Sequence, residues 1–128
     1  MPGVSLSIAV KSADGRYLRA NDDGSISFCT SDIMDPAIKF TVPAGFQIFL
    51  QSYKREFVSL TESGDFKLVP LTDSIDLNKV FTLVLRGANK VAVKANNQKY
   101  VTYDDTCVKA ANDTITDNET FEIIHLYV

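Results

Sequence analysis

The chain has 128 residues, 45% of them hydrophobic and 23% charged, with a formal net charge of −3. That length and composition suit one domain with a single core and argue against a disordered chain. The mild negative charge gives no electrostatic reason to bind nucleic acid, and no apolar run approaches the roughly 20 residues of a membrane span, so neither nucleic acid nor membrane insertion is expected.

In chain order, apolar residues alternate at Ile8/Val10, Leu18/Ala20, Ile26/Phe28 and Phe40/Val42. They alternate again at Ile48/Leu50, Val58/Leu60, Phe66/Leu68 and Phe81/Leu83, and a third time at Val91/Val93, Val101/Tyr103, Val108/Ala110 and Phe121/Ile123. A period of two is that of a half-buried strand, so the sequence predicts four strands in each of three units, twelve in all.

The units also repeat in detail. Lys11-Ser-Ala-Asp-Gly-Arg-Tyr17-Leu18 returns in kind as Gln51-Ser-Tyr-Lys-Arg-Glu-Phe57-Val58 and as Lys94-Ala-Asn-Asn-Gln-Lys-Tyr100-Val101. The second and third strands of each unit are joined by Asn21-Asp-Asp-Gly24, Thr61-Glu-Ser-Gly-Asp65 and Asp104-Asp-Thr106. Asp-Gly and Ser-Gly are hairpin signals, because glycine takes a positive φ without steric cost. Longer polar links follow the third strands, and each holds an isoleucine (Ile33, Ile75, Ile115) expected to plug back onto the core.

A period near 40 residues restricts the architecture to a few solutions. Three units of four strands describe a β-trefoil: a six-stranded barrel closed at one end by three hairpins, with repeats at about 4–43, 44–85 and 86–128. A three-bladed propeller is the competitor, but propellers usually have at least four blades.

Little in the sequence points to catalysis. It has no nucleophile elbow, phosphate-binding glycine loop or HExxH motif, and nothing places partners around its one histidine, His125. One histidine and two separated cysteines, Cys29 and Cys107, do not assemble a zinc site of the usual kind. No enzyme activity, metal or cofactor is expected. The paired acids Asp22-Asp23 and Asp104-Asp105 fall in predicted turns, where aspartate hydrogen-bonds its own backbone.

Charge is unevenly placed. The turns between second and third strands are acidic (Asp22, Asp23, Glu62, Asp65, Asp104, Asp105), whereas those between first and second strands are basic (Lys11, Arg16, Lys54, Arg55, Lys94, Lys99). If the two sets lie at opposite ends of the barrel, the molecule is electrically polar and suited to head-to-tail self-association. Met1-Pro-Gly-Val-Ser5 shows neither a basic nor an apolar leader segment, so a cytoplasmic or nucleocytoplasmic location is expected.

The first third carries a family resemblance. Val10-Lys-Ser-Ala-Asp-Gly-Arg-Tyr-Leu-Arg19, followed by Ile26-Ser-Phe-Cys-Thr-Ser-Asp-Ile-Met-Asp-Pro-Ala-Ile-Lys-Phe-Thr-Val42, resembles the amaranthin-type agglutinin domain. That family pairs a KS…KYLR start with an FSAD…LDP…FEV stretch. Leu50-Gln-Ser-Tyr53 is similar to the family's IKSRY pattern.

The resemblance implies a β-trefoil lectin for GalNAc or Galβ1-3GalNAc glycans. Family members are mainly plant proteins, and the sugar lies in a shallow site between domains of two subunits. A single domain of this kind is then expected to self-associate, or to act beside a second module. The chain departs from the family in having no tryptophan; the stretch that the family places near the sugar reads here Ser63-Gly-Asp-Phe-Lys-Leu68.

Candidate sugar contacts follow. Tyr53 and Lys54 offer an aromatic face and a donor in one turn, and Asn96 and Asn97 offer amides in the equivalent turn of the third unit. Asp65 and Lys67 lie in the stretch marked by the resemblance. Phe49, between core positions, is expected to face outward, either under a loop or in a subunit contact, and Phe46 is kept beside it. The rival reading is a protein-interaction trefoil of the fascin or hisactophilin type that binds actin. A third is the lectin module of a larger toxin or defence protein.

Overall fold

The computed structural model describes residues 6–29, 32–43, 48–70 and 76–126. Eleven strands run in chain order: β1 (Leu6–Lys11), β2 (Tyr17–Ala20), β3 (Ile26–Cys29), β4 (Phe40–Val42), β5 (Phe57–Leu60), β6 (Phe66–Val69), β7 (Thr82–Gly87), β8 (Lys90–Lys94), β9 (Tyr100–Tyr103), β10 (Val108–Asn112) and β11 (Phe121–His125). Each matches one of the predicted alternating pairs. The remaining pair, Ile48/Leu50, lies in a segment that bridges its neighbours without forming a regular strand.

That segment closes the barrel. β1 pairs with β4 and β11, β11 with β8, and β8 with β7. Between β4 and β7, Thr41 and Gln51 exchange backbone hydrogen bonds of 2.8 and 2.9 Å, and Phe81 N–H donates to the Ile48 carbonyl at 2.9 Å. The ring is therefore six-membered, and the protein is a β-trefoil.

The hairpins β2–β3, β5–β6 and β9–β10 form the cap. Each is hinged to the barrel by an equivalent pair: Lys11 opposite Tyr17, Gln51 opposite Phe57, Lys94 opposite Tyr100. In the first and third, the lysine ammonium lies 5.9 and 5.7 Å from the tyrosine ring centroid. Neighbouring hairpins are laced together where Leu68 N–H donates to the Gly24 carbonyl (2.7 Å) and Ala110 N–H to the Gly64 carbonyl (2.8 Å). Gly64 has φ +89°, and a Cβ there would stand 3.3 Å from the Ala110 carbonyl. Both the turn and this close approach therefore call for glycine.

The core sits where cap meets barrel. Phe28 stacks on Phe121 with centroids 5.3 Å apart and tilts against Tyr103 at 4.7 Å. Phe66 packs on Phe81 at 5.9 Å.

The residues that plug the links differ from expectation. Ile33 is exposed and Ile115 only half-buried, while Ile75 lies outside the described residues. The plugs are Ile38, Lys79 and Glu119, each ending a 3-10 turn (Pro36–Ile38, Leu77–Lys79, Asp117–Glu119) two residues before the phenylalanine of the fourth strand. All three are at most 2% exposed. The first two turns are capped by aspartate: Asp35 accepts from Ala37 N–H at 2.9 Å, and Asp76 from Asn78 N–H at 3.0 Å. The third uses a capping box between Thr116 and Glu119.

Phe49 is also corrected in part. It is half-buried, with its ring 5.9 Å from that of Phe57. Phe46 lies outside the described residues.

Candidate functional site: the clefts between repeats

The turn joining the first two strands of each repeat has one backbone design. Gly15, Arg55 and Gln98 occupy equivalent positions, all with positive φ (89°, 65° and 67°). Their amides donate to Ser12, Ser52 and Ala95 carbonyls at 3.0, 2.8 and 3.0 Å. The first turn lies against the hairpin of the third repeat and the second turn against that of the first, so turns meet hairpins at repeat junctions.

Ion pairs mark two of these junctions. Lys54 reaches Asp22 of the first hairpin at 3.1 Å, and Arg16 reaches Asp105 of the third hairpin at 3.3 Å. Basic and acidic turns are thus neighbours and not opposite poles. The expectation of an electrically polar barrel is overturned, and with it the charge argument for head-to-tail assembly. A trefoil's threefold winding sets each first turn beside the previous hairpin, a relation that spacing along the chain does not display.

The junction of third and first repeats holds an open cleft of about 490 Å³, lined among others by Asp14, Arg16, Tyr103, Asp105, Asp117 and Asn118. Arg16 is its organiser. Its guanidinium lies 5.6 Å from the Tyr103 ring centroid and binds Asp14 through Nε (2.9 Å) and a terminal nitrogen (2.8 Å). The Arg16 hydrogen bond, aided by the Ser12 hydroxyl, lowers the Asp14 carboxyl to about 2.

Asp104 also lines the cleft but caps its own hairpin turn. It accepts from Thr106 N–H (2.8 Å), the Thr106 hydroxyl (2.8 Å) and Cys107 N–H (2.9 Å), which hold its carboxyl well below the usual range. Asp105, by contrast, is 91% exposed. Together with the exposed Asp117 and Asn118, it faces the cleft with oxygen and amide groups open to a ligand.

The six residues singled out from the sequence divide among different places. Tyr53 and Lys54 belong to the first–second junction, where the ammonium lies 5.6 Å from the Tyr53 ring centroid while binding Asp22. Asn96 and Asn97 belong to the second–third junction. Asn96 donates to the Asn78 side chain at 3.3 Å, and Asn97 to the Ala110 carbonyl at 3.1 Å while accepting from Lys99 N–H at 3.0 Å. Asn97 is thereby committed to holding its turn.

The Asp65 carboxylate accepts from the Ser63 hydroxyl at 3.1 Å, and its backbone forms a β-bridge with that of Lys109 where hairpins meet. Lys67 is exposed in β6. The six do not form one site. The Arg16 cleft was missed because its residues come from both ends of the chain. The available signal was the repeat alignment, which places Arg16, Glu56 and Lys99 at one turn position.

No protein-family profile matches the chain, and no curated protein does. Its structure is similar to 211 solved chains. One is the crystal structure of a designed threefold-symmetric protein, ThreeFoil, with a TM-score of 0.76 and 14% identity, covering 94% of this chain and 99% of that one. At such identity the likeness defines the β-trefoil class and carries no ligand with it.

Proposed function

We propose that this β-trefoil is a non-catalytic carbohydrate-binding module that takes GalNAc or Galβ1-3GalNAc glycans in its inter-repeat clefts. The observation that carries the reading is the Arg16 cleft. Sugar hydroxyls need convergent acceptors and donors on a rigid frame. Asp105, Asp117 and Asn118 supply them around an arginine already fixed by Asp14 and Tyr103. The guanidinium covers one face of Tyr103, so recognition here is polar and does not rest on aromatic stacking. The sugar class comes from the agglutinin-like motif of the first repeat, including Asp35 and Pro36, which cap and open its 3-10 turn. Such shallow sites bind weakly one at a time, and avidity across several copies raises the effective strength.

The test is a glycan array with labelled protein against mucin-type, N-linked and chitin-type glycans, with actin pelleting in parallel. Mucin-type binding that disappears in Asp105→Ala combined with Asp117→Ala supports the reading. A blank array, or binding indifferent to that double substitution, overturns it. Salt-sensitive actin pelleting would favour the protein-interaction reading instead.

A further inference from the structure

At the end of the barrel away from the hairpins, the period-two pattern and the surface disagree. Positions 81, 83 and 85 of β7 share one parity, and Phe81 is core, so Leu83 and Leu85 belong to the inner face. Yet Leu83 is 43% and Leu85 82% exposed, and Leu6, of the same parity as Ile8 and Val10, is 46% exposed. The inner wall reaches solvent because a cavity of about 370 Å³ runs up the barrel from these leucines to Phe28 and Phe121 beneath the cap.

The lining is aliphatic and aromatic, with three polar exceptions: Asn89, Lys90 and His125. All three gather at the open end, since Asn89 and Lys90 open the return strand β8 and His125 ends β11. Lys90 stands opposite Glu122 in the β8–β11 ladder, and Ile123 N–H donates to the Asn89 carbonyl at 2.8 Å. Among the described lining residues none carries a carboxylate, and Lys90 and His125 are the basic ones. The volume lies within the range of small-molecule sites, roughly 300–1,000 Å³.

We infer that the barrel is a binding site for a single-chain fatty acid. The hydrocarbon tail lies between Val93, Leu50 and Phe121, and the carboxylate lies at the mouth near Lys90 and His125. The driving force is removal of the tail from water, with the head group adding orientation. This site is on the opposite end from the hairpin cap and does not rest on the sugar reading.

The experiment is calorimetric titration of the whole chain with dodecanoate, below its micelle concentration, and with dodecan-1-ol, below its solubility limit, alongside sedimentation velocity. The expected result is one dodecanoate per chain, bound at least about tenfold more tightly than the alcohol. Val93→Phe, which fills the cavity, should weaken both ligands at least about tenfold. Lys90→Gln should weaken only the acid. Leu85→Asp, an exposed rim change that leaves the fold intact by circular dichroism, should weaken both even if Val93→Phe fails to fold. Absence of binding overturns the inference, as does binding untouched by both cavity and rim variants. So does a wild-type dimer that Leu85→Asp dissociates while dodecanoate produces no heat, because a second copy then covers the mouth.

Discussion

Arg16 and Tyr103 tie the first repeat to the third: the guanidinium lies over the phenol ring at 5.6 Å while its nitrogens bind Asp14 and Asp105. The same ring packs on Phe28 at 4.7 Å, so the cleft wall and the aromatic core share one side chain. Arg16→Ala should therefore loosen the cleft more than the fold. Its partners Asp14 and Asp105 are exposed, and ion pairs with exposed partners contribute little to stability. Urea unfolding should show only a small loss, and array binding should fall. Unchanged glycan binding in a folded Arg16→Ala protein would remove this cleft from the functional account.

Glu119 has a heavier structural role. Fully buried, it accepts from Thr102 Oγ1 (2.7 Å), Asn112 Nδ2 (2.9 Å), Thr116 N–H (2.7 Å) and Thr116 Oγ1 (2.6 Å). Glu119→Ala orphans these donors and should cost about 2–4 kcal/mol in chemical denaturation. Glu119→Gln keeps one of the two acceptor oxygens and sets its amide donor against the remaining donors, so it should cost less than the alanine variant without being neutral. Equal losses for the two variants would contradict a hydrogen-bond account.

Acid should destabilise the protein within a defined window. Burial raises the Glu119 carboxyl, but hydrogen bonds from Thr116, Thr102 and Asn112 outweigh it and leave a lowered value. Asp14 is lowered from 3.8 to about 2, and Asp104 is lowered as well. The folded state therefore binds fewer protons than the unfolded state, and stability is complete above the unfolded carboxylate values. Melting temperature should stay flat from about pH 7 to about pH 5, then fall steadily from about pH 4 towards about pH 2. A melting temperature that rises on acidification would refute the assignment.

Lys79 occupies the buried position filled by Ile38 in the first repeat and Glu119 in the third. Its ammonium binds Asp76 at 3.3 Å, and Asp76 itself is half exposed. Because desolvating a lysine offsets much of what its ion pair contributes, Lys79→Met should be neutral or mildly stabilising. A loss above about 2 kcal/mol on thermal unfolding would show that the charge is required for packing.

Arg55 and Gln98 hold the positive φ that Gly15 takes without cost. Left-handed backbone costs a residue with a Cβ about 1–2 kcal/mol, partly offset by the greater chain entropy of glycine when unfolded. Arg55→Gly and Gln98→Gly should each raise stability by about 0.5–1 kcal/mol, and Gly15→Ala should lower it by about 1 kcal/mol. Denaturation midpoints of the three variants settle the sign.

Most of the strand plan was legible in the sequence because burial on one face of a strand writes itself as a period of two. Eleven alternating pairs became strands, and the twelfth, Ile48/Leu50, became the bridging segment that closes the ring. The plugs were not legible by hydrophobicity, since two of the three are Lys79 and Glu119. They carry a positional mark instead, each standing two residues before Phe40, Phe81 or Phe121. Exposed Ile33 shows the converse: an apolar residue in a polar link has no periodic partner to hold it on the core.

Repetition along the chain was enough to determine that this protein is a β-trefoil, because three alternating units that cannot bury their faces alone must bury them against one another. The tertiary structure alone decided which turns meet. Closing the ring brings Arg16 against residues 103–105 and Lys54 against Asp22, contacts between segments 32 to nearly 90 positions apart. The clefts, the pairing of opposite charges and the open apolar barrel arise from that closure, which local patterning cannot encode.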